Sequence, residues 1–122
     1  MNNIKIATAQ FENKSGDKEY NLSVIEKLSK EAAQEGAEAI AFHECSITGY
    51  TFARHLSKEE LLDVAEPIPG GNSIKRLTEI AGKNNIIVLA GLFEKDNDNN
   101  LYKAYVCVDK NGLVSCQLNV VL

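Results

Sequence analysis

The run Ala39-Ile40-Ala41-Phe42, held between Glu38 and the pair His43-Glu44, constrains this chain more than any other segment. It is too short for a helix and apolar on both alternating faces, which suits an interior strand covered on both sides. IKIATAQF at 4–11 mixes β-branched and small residues and reads as a short strand, and IIVLAGLF at 86–93 reads as a further buried strand. Helical stripes separate them. Leu22, Ile25, Leu28, Ala32 and Ala33 recur at three- and four-residue steps, and Gly36 is placed to end that helix. Ser57-Lys58-Glu59-Glu60 spells a capping box before Leu61, Leu62, Val64 and Ala65, and Pro67 and Pro69 stop that helix. Gly70-Gly71-Asn72 opens another helix with Ile74, Leu77, Ile80 and Ala81 inside, and Asn72 is its expected N-cap. The segment between Cys45 and Leu56 reads as a loop. After turn residues at 96–100, a strand over 101–109, an Asn111-Gly112 hairpin signal and a strand from Leu113 complete the order βαβααβββ. That order predicts an α/β layered fold.

A chain of 122 residues, 44% hydrophobic and 25% charged, suits one globular domain and excludes disordered, collagen-like and disulfide-scaffold classes. Thirteen basic against seventeen acidic side chains give a net charge of −4, which argues against a nucleic-acid partner. The three cysteines lack C-x-x-C spacing, so no disulfide framework is expected and a reducing, cytoplasmic location is. No apolar stretch reaches the ~20 residues needed to cross a bilayer, and the first residues do not spell a secretory signal. The expectation is a soluble chain without a membrane partner.

Glu44 is the strongest candidate for chemistry. It stands at the C-terminal end of an interior strand, where ligands gather in open α/β sheets, and burial there would suit a carboxylate to general-base work. The plainer reading is a glutamate that caps a loop or pairs with Arg54. His43-Glu44-Cys45 resembles a local triad, but strand alternation argues against convergence of three neighbours. Cys45 and Cys107 read as packed side chains, and Cys116 has no histidine near it in sequence. Gly70-Gly71-Asn72-Ser73 could cradle a phosphate, yet lacks both the G-x-G-x-x-G and the P-loop spacing; ordinary helix capping is the simpler account.

Four pieces taken in order resemble the N-terminal part of the nitrilase superfamily, the carbon–nitrogen hydrolases. They are the opening IKIATAQF; EAAQEGAEAIAFHECSITGY, similar to A-D-L-hydrophobic-x-F-P-E-x-x-x-x-G-Y; PIPGGNSIKRLTEIAGKNNIIVLAGLFEKD, similar to P-G-P, helix and a strand ending Gly-x-x-Glu; and NLYKAYVCVDKNGLV, similar to L-Y-N-x-x-x-x-I-D-x-x-G. The resemblance implies a partial α-β-β-α sandwich of the nitrilase type, with about five strands and three helices. It also implies a Glu-Lys-Cys mechanism on a small-molecule amide or nitrile, with no cofactor and no metal. By motif position Glu44 takes the general-base role. A thiolate nucleophile and a cation that stabilises the tetrahedral intermediate complete such a set.

This sequence departs from the pattern after Val114. Where a K-x-R-K-x-H-like segment would supply the lysine, it reads SCQLNVVL, with Asn119 near the lysine position and Cys116 three residues earlier. The later segment with the nucleophilic cysteine has no counterpart here, and His43 replaces the proline before the glutamate. The expectation is one partial domain over 1–122, family-like to about 114 with a divergent tail at 115–122, shortened by frameshift or premature termination and inactive alone. A non-catalytic remnant serving self-association is the alternative. Ile40, Phe42, Val88 and Leu92 are expected to lack part of their cover, and Leu118, Val120 and Leu122 to form an apolar edge, so a homo-oligomer is expected.

Overall fold

β-Branched and small apolar residues dominate three strands, and the computed structural model aligns them side by side. It describes residues 3–120, with the side chain of Val120 left out. The elements are β1 (Ile6–Ala9), α1 (Lys18–Gln34), β2 (Ala39–Phe42), α2 (Tyr50–Arg54), α3 (Lys58–Val64), α4 (Asn72–Asn84), β3 (Ile87–Lys95), β4 (Leu101–Asp109) and β5 (Gly112–Val120). They build one sheet in the order β1-β2-β3-β4-β5. The first three strands are parallel, and β3-β4-β5 form an antiparallel meander. Parallel neighbours need crossovers, which α1 and the α2–α4 segment supply.

The register sorts alternate residues onto two faces. Ile40 lies opposite Val88, which lies opposite Val108, while Ala90 meets Val106 and Leu92 meets Ala104. All of these join Leu22 and Ile25 of α1 and Ile74, Leu77 and Ile80 of α4 in one core. The expectation that Ile40, Phe42, Val88 and Leu92 would lack cover is therefore corrected, since none is more than 3% exposed. The two long helices lie on their face and close it within this chain. The opposite face carries Ile6, Ala39, Ala41, Ile87, Leu89, Tyr105 and Cys107, and among the described residues no long helix covers it. Ile6 is 61% exposed and Ile87 38%. Its far end is covered where α2 and α3 bring Ala53 and Leu61 onto Phe93 and Leu101 as a second small core.

Several ends differ from the sequence expectation for local reasons. The Cys45–Leu56 loop contains the short helix α2, which makes four helices among the described residues. Gly36, at φ 89, ends α1 as expected, with its N–H and that of Ala37 donating to Ala33 and Ala32. Asn72 is not the cap of α4. That position belongs to Gly71, and the capping acceptor is Glu66, whose carboxylate takes the Ser73 N–H at 2.7 Å and the Ser73 hydroxyl at 2.5 Å. At the β4–β5 hairpin, Lys110 and Asn111 form the turn, and Gly112 follows at φ 117 with a one-residue register shift near Cys107. Leu118 is exposed; Leu122 and the side chain of Val120, the rest of the expected apolar edge, lie outside the described residues. Among the described residues no helix is long and apolar enough to cross a membrane.

Candidate active site

At Phe42 the strand β2 stops, and the chain turns sharply through Glu44 and Cys45, whose φ is 54. The turn sits directly on β3. Ile47 N–H donates to the Gly91 carbonyl at 3.0 Å, and Gly91 N–H donates to the Ser46 hydroxyl at 3.1 Å. A Cβ on Gly91 would fall 2.3 Å from the Cys45 nitrogen, so only glycine lets the turn approach this closely. From the other side, Asn21 of α1 donates to the Ile47 carbonyl at 2.8 Å, and Asn13 donates to that of Ser46. The Tyr105 hydroxyl donates to the Phe42 carbonyl at 2.6 Å. Glu44 is thus projected from a backbone pinned on several sides.

Its carboxylate borders a cleft of about 430 Å³ on the face without long helices, with His43, Lys103, Tyr105, Gln117 and Asn119 among the other lining residues. Glu44 is exposed there, which corrects the expectation of burial at the strand end, and its Oε2 lies 4.0 Å from the Lys103 ammonium. The cation beside Glu44 is therefore Lys103 and not Arg54. Lys103 also stands 5.2 Å from the centre of the Tyr50 ring.

His43 and Cys45 border the same cleft, so strand alternation is the wrong reason for setting their trio aside: the strand has already ended. The hydrogen bonds give a better one. His43 Nε2 bonds Asn13 Oδ1 at 2.9 Å, its ring packs edge-on against Phe11, and burial lowers its pKa. Cys45 is 2% exposed, and burial pushes its thiol up to about 11 against a partial opposing pull from Lys103. No thiolate forms there near neutral pH. Cys116 faces away altogether. It lies opposite Val106 and packs on the helix-covered core, with its thiol raised by burial. Cys107 is half-buried in β4 and is likewise raised by burial.

The candidate phosphate cradle at Gly70–Ser73 is filled from within. Glu66 holds the Ser73 N–H, and Lys18 adds an ion pair at 2.9 Å. Burial alone would raise the Glu66 carboxyl; the Ser73 and Lys18 donors outweigh it and hold it below the ordinary range. Gly71 is needed for this approach, because a Cβ there would lie 2.7 Å from Glu66 Oε1.

Sequence reasoning missed Lys103 and Gly91. Alternation over β4 was the available signal for Lys103, since Ala104, Val106 and Val108 are buried and their neighbours share the other face. Gly91 was legible only as part of a motif.

Comparison with known proteins adds to this geometry. The chain is 33% identical over 111 residues to a nitrilase of Pyrococcus abyssi, covering 91% of this chain and 41% of that protein. It is 30% identical over 109 residues to an N-carbamoylputrescine amidase of Solanum lycopersicum, covering 89% and 35%. The fold matches an amidase from Nesterenkonia sp. with a TM-score of 0.74 at 20% identity, over 98% of this chain and 43% of that one. The chain thus spans less than half the length of each of these proteins. The carbon-nitrogen hydrolase family model matches residues 5–119, almost the whole sequence. This α/β chain belongs to the carbon–nitrogen hydrolase family.

Proposed function

We propose that this chain is the glutamate-bearing part of a carbon–nitrogen hydrolase acting on a small amide or nitrile, with Glu44 as general base. Residues 1–122 then form one partial domain, family-like to about 114 with a divergent tail at 115–122. The observation that carries the reading is the placement of Glu44: a carboxylate on a pinned strand-end turn, opening into a cleft with polar walls. In this role it takes the proton from a thiol and later activates water against the resulting thioester. The nucleophile is not among the three cysteines of this chain: Cys45 is buried and protonated, Cys107 is half-buried with its thiol raised by burial and does not border the cleft, and Cys116 faces the opposite side of the sheet. The 122 residues are accordingly inert by themselves.

A second reading rests on apolar side chains left open to solvent. Ile6 and Ile87 are exposed on the face without long helices, and Val114 and Leu118 are exposed on β5, which suits a non-catalytic self-association module. Reading the gene beyond codon 122 in all three frames separates the two. Lysine- and cysteine-bearing segments in any frame favour the hydrolase. A polypeptide that joins them to this chain should release ammonia from an amide and lose about 10²–10⁴-fold of that rate in Glu44→Gln. Their absence from every frame, or full activity in Glu44→Gln, overturns the first reading.

A further inference from the structure

We infer that Lys103 is the oxygen-binding cation of the Glu44 cleft, entering from β4, and that with Glu44 it selects a carboxamide over a nitrile. The inference rests on the reading of this cleft as a hydrolase site. Lys103 is the sole lysine or arginine among the described residues that border the cleft. Other cations are engaged elsewhere, Lys18 with Glu66 and Arg76 with Glu19 and Glu26.

Two features of its position leave this loosely paired ammonium open to a ligand. Its 4.0 Å separation from Glu44 is too long for a hydrogen bond, so the carboxylate does not consume the three ammonium donors. The Tyr50 ring lies 5.2 Å from its Nζ, and β4 carries the side chain into the lining of the cleft. The pair therefore offers donors and a free acceptor side by side. A carboxamide matches both, with its carbonyl oxygen on the ammonium and its N–H on the carboxylate. A nitrile carries neither an oxygen nor an N–H and satisfies only half of the pair.

The register adds an independent reason. Lys103 lies directly opposite Asn119, the position near which the sequence pattern leads one to expect a lysine. Side chains directly opposite on antiparallel strands start about 5 Å apart, so an ammonium from either strand reaches the same end of the cleft. The geometry moves the cation one strand over instead of removing it.

The test is an NMR titration of the 122-residue chain with butyramide and with butyronitrile, following the side-chain signals of Lys103 and Glu44. The expected result is saturable butyramide binding, at least about tenfold tighter than butyronitrile. Lys103→Met should weaken butyramide about tenfold, the ordinary cost of a lost charged hydrogen bond. Lys103→Met combined with Asn119→Lys should restore it to within about threefold, which a purely structural lysine would not allow. Lys103→Gln replaces the methionine variant if that one fails to fold. No saturable shift in the cleft, equal binding of the two probes, or undiminished butyramide binding in the Lys103 variants overturns the inference. The Glu44 reading survives that failure, because it is decided by hydrolysis in the joined polypeptide and not by binding here.

Discussion

The two faces of the sheet share the same strands and have different tasks. On one, Ile40, Val88, Val106 and Val108 lie under α1 and α4, and each is at most 1% exposed. On the other, residues one position along the same strands include Ala41, Leu89, Tyr105 and Cys107, all only half-buried, and that face ends in the cleft beside Glu44. A period of two thus sorts the chain into a set buried under the helices and a set that lines the open face and its cleft. The difference shows that this chain closes its own core without closing its site.

Paired truncations test the division most severely. Leu77→Ala, under the covered face, should cost about 3–4 kcal/mol in urea unfolding, because it empties a fully enclosed site. Leu89→Ala on the other face should cost about 1 kcal/mol or less. Equal losses would break the comparison and show that the second face is packed as well. Gly91→Ala comes next, at about 2–3 kcal/mol, since its methyl group would collide with the Cys45 backbone. Its NMR spectrum should change through residues 44–48; an undisturbed turn would contradict the account of how Glu44 is held.

Glu66 gives a smaller, pH-dependent effect. Its folded carboxyl is held below the ordinary range, so its contribution is complete above the unfolded-state value and disappears as pH falls through the depressed folded one. Glu66→Gln should lower stability by about 1–2 kcal/mol at neutral pH and flatten this part of the acid side of the stability curve. A variant whose acid profile matches wild type would remove Glu66 as the cap of α4.

The strands, the two long helices and the end of α1 at Gly36 were legible because burial and periodicity agree there. Three features were hidden, two because they depend on contacts beyond the immediate sequence and one because the element is short. The α4 cap was assigned to Asn72 by local preference, while the acceptor that reaches the Ser73 N–H is Glu66, seven residues away. Helix α2 is five residues long and has too little periodicity to detect. Glu44 was visible from its strand-end position, but Lys103 became its neighbour only through pairing of β4 beside β3. The expected lack of cover over Ile40 and Val88 failed for a related reason: helix placement on one face is a matter of packing that strand periodicity leaves open.

The central claim is that this chain holds a hydrolase glutamate in place without a nucleophile to serve it. Ammonia release from a panel of amides and nitriles tests that most directly, with wild type, Glu44→Gln and Cys116→Ser purified alike. The account predicts no release above the protein-free blank in any of the three, a loss of most of an acceleration that commonly reaches ~10⁶-fold or more. Turnover that follows the wild-type protein through purification and disappears in either variant would contradict it, and its loss in Cys116→Ser would identify Cys116 as the nucleophile.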